Sequence, residues 1–290
     1  MGPSSYARRV TVRLGTCSWA DEGLLRTWYP PSVRTAPARL AHYAERFDVV
    51  EVDSPFYRLP APETTARWAE RTPPGFVFHV KASGEMTGHR QADRDTAFRA
   101  FREAVAPLEA SGKLRAVLLQ YPPWLEKSRE AARELLAARD LLDPLQPLVE
   151  FRHASWTRPE ELATTLELCE RNGLAFVSVD APGNALPRAA AATGPLAYVR
   201  FHGRNRETWF RKTKTSAERF DWLYERDELA EWVEPLRRLA GEADEVYALF
   251  NNNRDDFAPR SAQLLRGLLD EAGLDATGGI EPEPAEPTLF

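Results

Sequence analysis

Apolar residues along this chain follow two alternating rhythms. In short runs nearly every residue, or every second one, is apolar, the period of a strand. These runs are Val10–Cys17, Val49–Asp53, Phe76–Lys81, Ala116–Gln120, Leu148–Arg152, Ala175–Asp180, Ala197–His202 and Glu245–Asn251. Between them the spacing widens to three and four, the period of a helix with one apolar stripe. Leu40, Tyr43, Ala44 and Phe47 show it, as do Phe98, Phe101, Val105 and Leu108. So do Leu162, Leu166 and Cys169, the set Leu229, Trp232, Val233, Leu236 and Leu239, and Leu264, Leu265, Leu268 and Leu269.

Apolar strands alternating with helices predict parallel strands joined by right-handed crossovers. Eight such strands favour a single closed (β/α)₈ TIM-type barrel, and no GxGxxG follows the first strand to suggest an open dinucleotide-binding sheet. Two places break the rhythm. The sixth crossover, Ala181–Pro195, offers only LPRAAAAT as helix and is expected to be irregular. The segment Gly203–Trp222, after strand seven, is too long for an ordinary loop and reads as an insertion over one end of the barrel. Past Gly273 the chain becomes rich in Pro, Gly and Glu, so residues 1–273 are expected to form the barrel and 274–290 a disordered tail.

With 43% hydrophobic and 28% charged residues and a formal net charge of −5, the chain as a whole is not built to adhere to polyanions. Any such site must be a local basic patch. Two cysteines, Cys17 and Cys169, make no disulfide framework and fit a reducing compartment. The start, MGPSSYARRV, lacks an apolar leader core, and no run of 18 apolar residues occurs. The expectation is a cytoplasmic protein without membrane partners.

The chemistry gathers at one end of the strands. Residues two apart share a strand face. On that basis Glu51 pairs with Asp53, His79 with Lys81, Glu150 with Arg152, Ser178 with Asp180 and Arg200 with His202, while Gln120 and Asn251 close strands four and eight. The outer face of a barrel meets apolar helices, so these polar sets are expected to point into its mouth. One Arg–Glu pair there could be structural, but burying so many ions together costs several kcal/mol for each left unpaired, which favours a site. Glu51, Glu150, Asp180 and His202 are the candidate catalytic groups. Lys81, Gln120, Arg152, His153, Trp156, Arg200, Asn251 and Trp19 are the candidate substrate-binding groups.

Carboxylates beside histidines can hold a divalent metal, as in barrel nucleases and sugar isomerases. No HxH or HExxH spacing occurs, however, and the interleaved Lys and Arg compete for the same oxygens, so the expected site is metal-free with a carboxylate as acid or base. Cys17 has no histidine nearby in sequence and reads as a small core or rim residue rather than a nucleophile. The insertion carries Arg204, Arg206, Arg211, Lys212, Lys214 and Arg219 around Trp209 and Phe210, against only Glu207 and Glu218. It is either a solvated loop or a patch for phosphates and stacked rings.

The stretches GTCSW, WYPP, VVEVDSPFYRLP, FVFHVKAS, LLQYPPW, VEFRHASW, VSVD, YVRFHGRN and VYALFNNN run in order from Gly15 to Asn253. As a set they resemble the domain-of-unknown-function 72 family, the YecE-like proteins. The resemblance implies a TIM-type barrel and supplies no reaction. That fold is similar to the endonuclease IV and xylose isomerase barrels, a likeness at the level of fold. The family commonly has Asn where this chain has Asp53, and the metal pattern of endonuclease IV does not map onto these residues. The final Glu286–Phe290 resembles peptides that dock on the replication sliding clamp, with Leu289 and Phe290 as the apolar pair. The expected function is therefore an enzyme, hydrolase-like in its acid–base chemistry, acting on a phosphate-bearing substrate, nucleic acid or nucleotide. The rivals are an isomerase, lyase or glycoside-type hydrolase of a sugar or sugar phosphate, and a non-catalytic module recruited by its tail.

Overall fold

The computed structural model describes residues 10–183 and 185–280. Eight parallel strands close on themselves. They are β1 (Val12–Thr16), β2 (Val49–Val52), β3 (Val77–Lys81), β4 (Leu114–Gln120), β5 (Pro147–Glu150), β6 (Ala175–Asp180), β7 (Leu196–Phe201) and β8 (Glu245–Phe250). Each pairs with its neighbour in sequence, and β1 joins both β8 and β2, so a TIM-type barrel is present as the eight-strand pattern predicts.

The seam between β1 and β2 has a single register pair, Thr16 with Val50. The hydroxyl of Tyr43 bridges it, accepting from Thr16 N and donating to Val49 O, both at 3.0 Å. Gly15 allows this closure, because a Cβ there would lie 2.5 Å from Val49 O.

The helices form the outer layer. They are α1 (Glu22–Thr27), α2 (Ala36–Ala44), α3 (Pro62–Glu70), α4 (Arg94–Ala110), α5 (Arg129–Leu142), α6 (Pro159–Arg171), α7 (Ser216–Arg219), α8 (Arg226–Ala230), α9 (Val233–Glu242) and α10 (Phe257–Glu271). Asp93 and Ser128 cap α4 and α5 by accepting from the third residue beyond them. The apolar stripes read from spacing lie against the strands, with Phe98, Phe101, Val105 and Leu108 of α4 all buried. A second apolar cluster fills the barrel lumen, where Val49, Leu118, Leu148, Val177, Tyr198, Tyr247 and Leu249 meet.

The two expected irregularities are present. Among the described residues no helix joins β6 to β7, and the insertion after β7 carries only the single turn of α7 before α8. Two details differ from expectation. The stripe from Leu229 to Leu239 is broken into α8 and α9 at Trp232. Residues 274–280, expected to begin a disordered tail, instead continue the sheet. Ala276 and Thr277 form a short strand, β9, paired with Val12 and Arg13, and Thr277 Oγ1 donates to Asp48 at 2.9 Å. Leu274 and Ala276 give that segment apolar anchors that the Gly-, Pro- and Glu-rich composition of the whole tail obscures. The proposed docking pair Leu289 and Phe290 lies outside the described residues.

Candidate functional site

The lumen ends at the carboxyl side of the strands in a layer of charged groups with no exposed surface. Glu51, Glu150, Arg200 and His202 are each 0% exposed. Arg200 bridges the two carboxylates, donating to Glu51 Oε1 at 2.5 Å and Glu150 Oε2 at 2.6 Å. Tyr198 donates to the other oxygen of Glu51 at 2.8 Å. Glu150 also forms a close ion pair with Arg152. Arg152 and Arg200 both donate to Gln120 Oε1, at 3.1 and 3.2 Å. Asn251 Nδ2 lies 2.9 Å from His202 Nδ1, and His202 Nε2 lies 3.0 Å from Arg152 Nη2 and 3.2 Å from Glu150 Oε1.

Burial alone would raise the Glu150 carboxyl, but Arg152 and Arg200 outweigh it and hold the group well below the usual range. Burial, followed by the Arg152 charge, pushes His202 well below an ordinary histidine and keeps it neutral. Glu51 moves the other way: burial lifts it to about 7 against the pull of Arg200. Burial and the nearby Glu51 raise the Cys17 thiol well above its ordinary value, as suits a core residue and not a nucleophile.

Above this layer opens a cavity of about 1340 Å³. Its floor carries Asp53, Lys81, Gln120, Arg152 and Asn251, and Trp19 stands in its wall against the edge of Trp68, 5.2 Å between ring centroids. Lys81 sits 3.8 Å from Asp53 and 4.5 Å from the Phe56 ring centre. Burial lowers the Lys81 ammonium, with Asp53 opposing. The insertion closes one side with Trp209, Phe210, Lys214, Arg219 and Phe220, and Arg152 lies 5.4 Å from the Trp209 ring centre. Gly203 lets the insertion leave β7: its φ is +85°, and a Cβ there would meet Trp222 at 2.5 Å.

Of the twelve residues selected from sequence, nine gather here, in the cavity lining or in the buried layer beneath it. Three do not. Asp180 faces outward, toward the helices. It accepts from Tyr224 at 2.6 Å, Trp232 Nε1 at 2.7 Å and Arg204 at 2.8 Å. On β6 it is Val177 and Val179 that face the lumen. The sixth crossover has no helix among the described residues; there Ser178 accepts from Ala191 N, and Asp180 collects Arg204 and Arg188. Trp156 is buried, stacked on the outward-facing Phe151 at 4.2 Å and donating to Leu125 O. His153 turns to Ser155, with Nδ1 2.8 Å from the hydroxyl, and lines no part of the cavity.

The alternation of strands gave no hint of Asp21, Arg67, Arg71 and His89, which line the cavity from loops and from the end of α3. Burial and the charge of Asp53 push Asp21 up to about 7. Burial, Lys81 and Arg152 hold His89 down at about 4. Among the described residues the lining carries six cations (Arg67, Arg71, Lys81, Arg152, Lys214 and Arg219) and two carboxylates, Asp21 and Asp53. Of the basic insertion residues, Arg204 is spent on Asp180, while Arg206, Arg211 and Lys212 are exposed.

Among the described residues no three His, Cys, Asp or Glu side chains converge as metal ligands. The oxygens of Glu51 and Glu150 are already taken by guanidinium and hydroxyl donors.

Comparison with known proteins agrees with this architecture. The family model described as "Protein of unknown function DUF72" matches residues 13–287. YunF of Bacillus subtilis is 30% identical over 271 residues, covering 89% of this chain and 95% of that one. YecE of Escherichia coli K12 is 31% identical over 150 residues, half of this chain and 52% of its own. A solved DUF72 protein of Thermotoga maritima superposes with TM-score 0.79 at 30% identity, covering 90% of this chain and 99% of that one. One from Enterococcus faecalis also gives 0.79, at 27% identity, covering 97% of this chain and all of that one. D-psicose 3-epimerase of Clostridium cellulolyticum, at 10% identity and TM-score 0.50, covers 91% of this chain and 99% of its own and shares the barrel fold alone. Among the described residues no helix is long and apolar enough to cross a membrane.

Proposed function

The chain belongs to the DUF72 family of proteins of unknown function, and from its own geometry we propose that the barrel mouth binds and transforms a phosphate-bearing substrate, a nucleotide or nucleic acid. The observation that carries this reading is the cavity lining, which has six cations against two carboxylates on a chain whose net charge is −5. The buried layer is close to neutral, with Glu51 and Glu150 facing Arg200 and Arg152. The excess charge therefore sits on Arg67, Arg71, Lys214 and Arg219, which form no ion pair among the described residues. Cations with no carboxylate partner in a partly enclosed cavity focus field on an entering anion.

The rings support the same reading. Tyr57, Trp124 and Phe210 are 70%, 64% and 71% exposed, and all three border the cavity. Exposed aromatics beside fixed cations suit a ligand that carries both a phosphate and a flat ring. The volume exceeds the several hundred Å³ usual for small-molecule pockets and leaves room for a nucleotide with part of its neighbour.

In this assignment Arg152, Lys81 and Gln120 meet the anion, with Asn251 at their side. Glu150, Glu51, Arg200 and His202 hold those groups in place from below. Asp21 and Asp53 are the carboxylates within reach of a substrate. A sugar phosphate is the second reading, supported by those two carboxylates in an aromatic wall.

The test is equilibrium binding of labelled mononucleotides and of single- and double-stranded oligonucleotides across a salt series. The expected result is binding that weakens linearly in log salt. Absence of binding at the lowest salt, or binding with no salt slope, overturns the reading. Competition by a sugar phosphate but not by a nucleotide selects the second reading.

A further inference from the structure

The cationic wall of the mouth is interrupted in one place, by Asp21 and Asp53. Asp21 is the N-cap residue of α1, with extended backbone at φ −63° and ψ 144°, where an aspartate ordinarily accepts from the helix's own N–H groups. It makes no such bond, and Ser18 and Asn253 stand beside it. Asp53 Oδ1 is buried without a hydrogen-bond partner, 3.8 Å from Lys81 Nζ and 3.6 Å from Arg200 Nη2. An anion drawn to the floor by Lys81 and Arg152 thus enters a space that two carboxylates already face.

We propose that the mouth takes up its oxyanion together with one proton, carried by Asp21, so that the bound anion receives a hydrogen bond from a protonated carboxyl. This inference rests on the mouth being an anion site, as argued above, and adds how the like charges are reconciled.

The surroundings of Asp21 support it. Asp53 from the end of β2 repels its negative form, opposed by the smaller pull of Ser18 and Asn253. Lys81 from β3, Arg152 from the end of β5 and Lys214 and Arg219 from the insertion face the same space. Arg67 and Arg71, in and just beyond α3, face it too, and His89 is uncharged at neutral pH. Burial, with Asp53 adding to it, already places Asp21 at about 7, so protonation there at neutral pH costs little. An incoming anion raises that carboxyl further. The sign follows: affinity is full where Asp21 is protonated and falls as pH rises above about 7. Glu51 is the other carboxyl raised to about 7, but it is sealed beneath the floor by Arg200 and Tyr198.

Sulfate is the probe, because its charge is constant between about pH 6 and about pH 8.5. Its binding is measured by calorimetry at low ionic strength in buffers of different ionisation heat. The expected result is uptake of about half a proton at pH 7 and an affinity falling up to tenfold per pH unit above it. Asp21→Asn, checked for folding by circular dichroism, is expected to bind sulfate with no proton uptake and a flat pH profile. Asp53→Asn is expected to move the decline to lower pH. Sulfate binding without proton uptake in the wild type, or unchanged uptake in Asp21→Asn, overturns the inference and leaves the anion site standing. No binding of sulfate or nucleotide at any pH overturns both.

Discussion

Asp180 sits outside the barrel wall with no exposed surface, satisfied by a phenol, an indole and a guanidinium. Its loss leaves the buried Tyr224 hydroxyl and Trp232 Nε1 without an acceptor, at about 1 to 3 kcal/mol each, while Arg204 and Arg188 keep Glu231. Asp180→Ala is therefore expected to lose that much stability in urea denaturation. A catalytic role at the mouth would instead leave stability intact and abolish turnover. His79 is a second residue whose setting decides its behaviour. It lies in the lumen between the rings of Tyr198 and Tyr247, with neither nitrogen bonded, and burial pushes it well below the ordinary histidine range. The unfolded chain gains a proton at this histidine below about pH 6.5 while the folded one does not, so the stability is complete above that pH and declines as pH falls. Glu51, raised to about 7 by burial, acts with the opposite sign between about pH 4.5 and 7. Comparison with His79→Phe isolates the histidine: its stability loss between pH 7.5 and pH 5.5 is expected to be smaller than the wild type's by about 1.4 kcal/mol. An equal loss in both would show that His79 is protonated in the fold.

The elements add constraints that no single residue carries. The sixth crossover offers backbone and hydroxyls where the others offer an apolar helix, and there the polar face of β6 points outward. The same asymmetry gives the insertion its anchor, since Arg204 and Tyr224 reach back to Asp180. Past α10 the chain adds β9 alongside β1, covering the foot of the strand on which the barrel closes. Truncation after Gly273 is expected to remove this pairing with the packing of Leu274 and Ala276, costing about 2 kcal/mol and lowering Tm by roughly 5 °C. Truncation after Ile280 keeps both and is expected to leave Tm near the full-length value. Equal melting of the two truncated chains would show that β9 contributes nothing.

At the scale of the whole molecule, an acidic body presents a cationic mouth. Cations of α3 and the insertion that form no ion pair among the described residues converge on one opening. Such a field acts on encounter and on salt dependence as well as on affinity. Lys214→Ala and Arg219→Ala are each expected to weaken nucleotide binding several-fold and to reduce the log–log salt slope by about one. Arg206→Ala, on the exposed outer part of the insertion, is expected to change little. Equal effects from all three would make the insertion a diffuse basic surface and not a wall of the site.

The sequence by itself favoured the barrel, because eight apolar runs separated by helical stripes bury their surfaces by closing into a ring with helices outside, and no GxGxxG marks an open dinucleotide-binding sheet. It also determined most of the buried charge layer, since Glu51, Lys81, Gln120, Glu150, Arg152, Arg200, His202 and Asn251 sit at strand ends, where side-chain alternation is a local property. It could not determine which face of β6 points inward. That depends on what packs against the strand, and here the crossover beside it has no helix among its described residues. Nor could it separate the sealed layer from the open cavity, or bring Asp21, Arg67, Arg71 and His89 to the same opening. Loops have no period to read, and their side chains share a surface only because the closed ring of strands carries every loop to one rim.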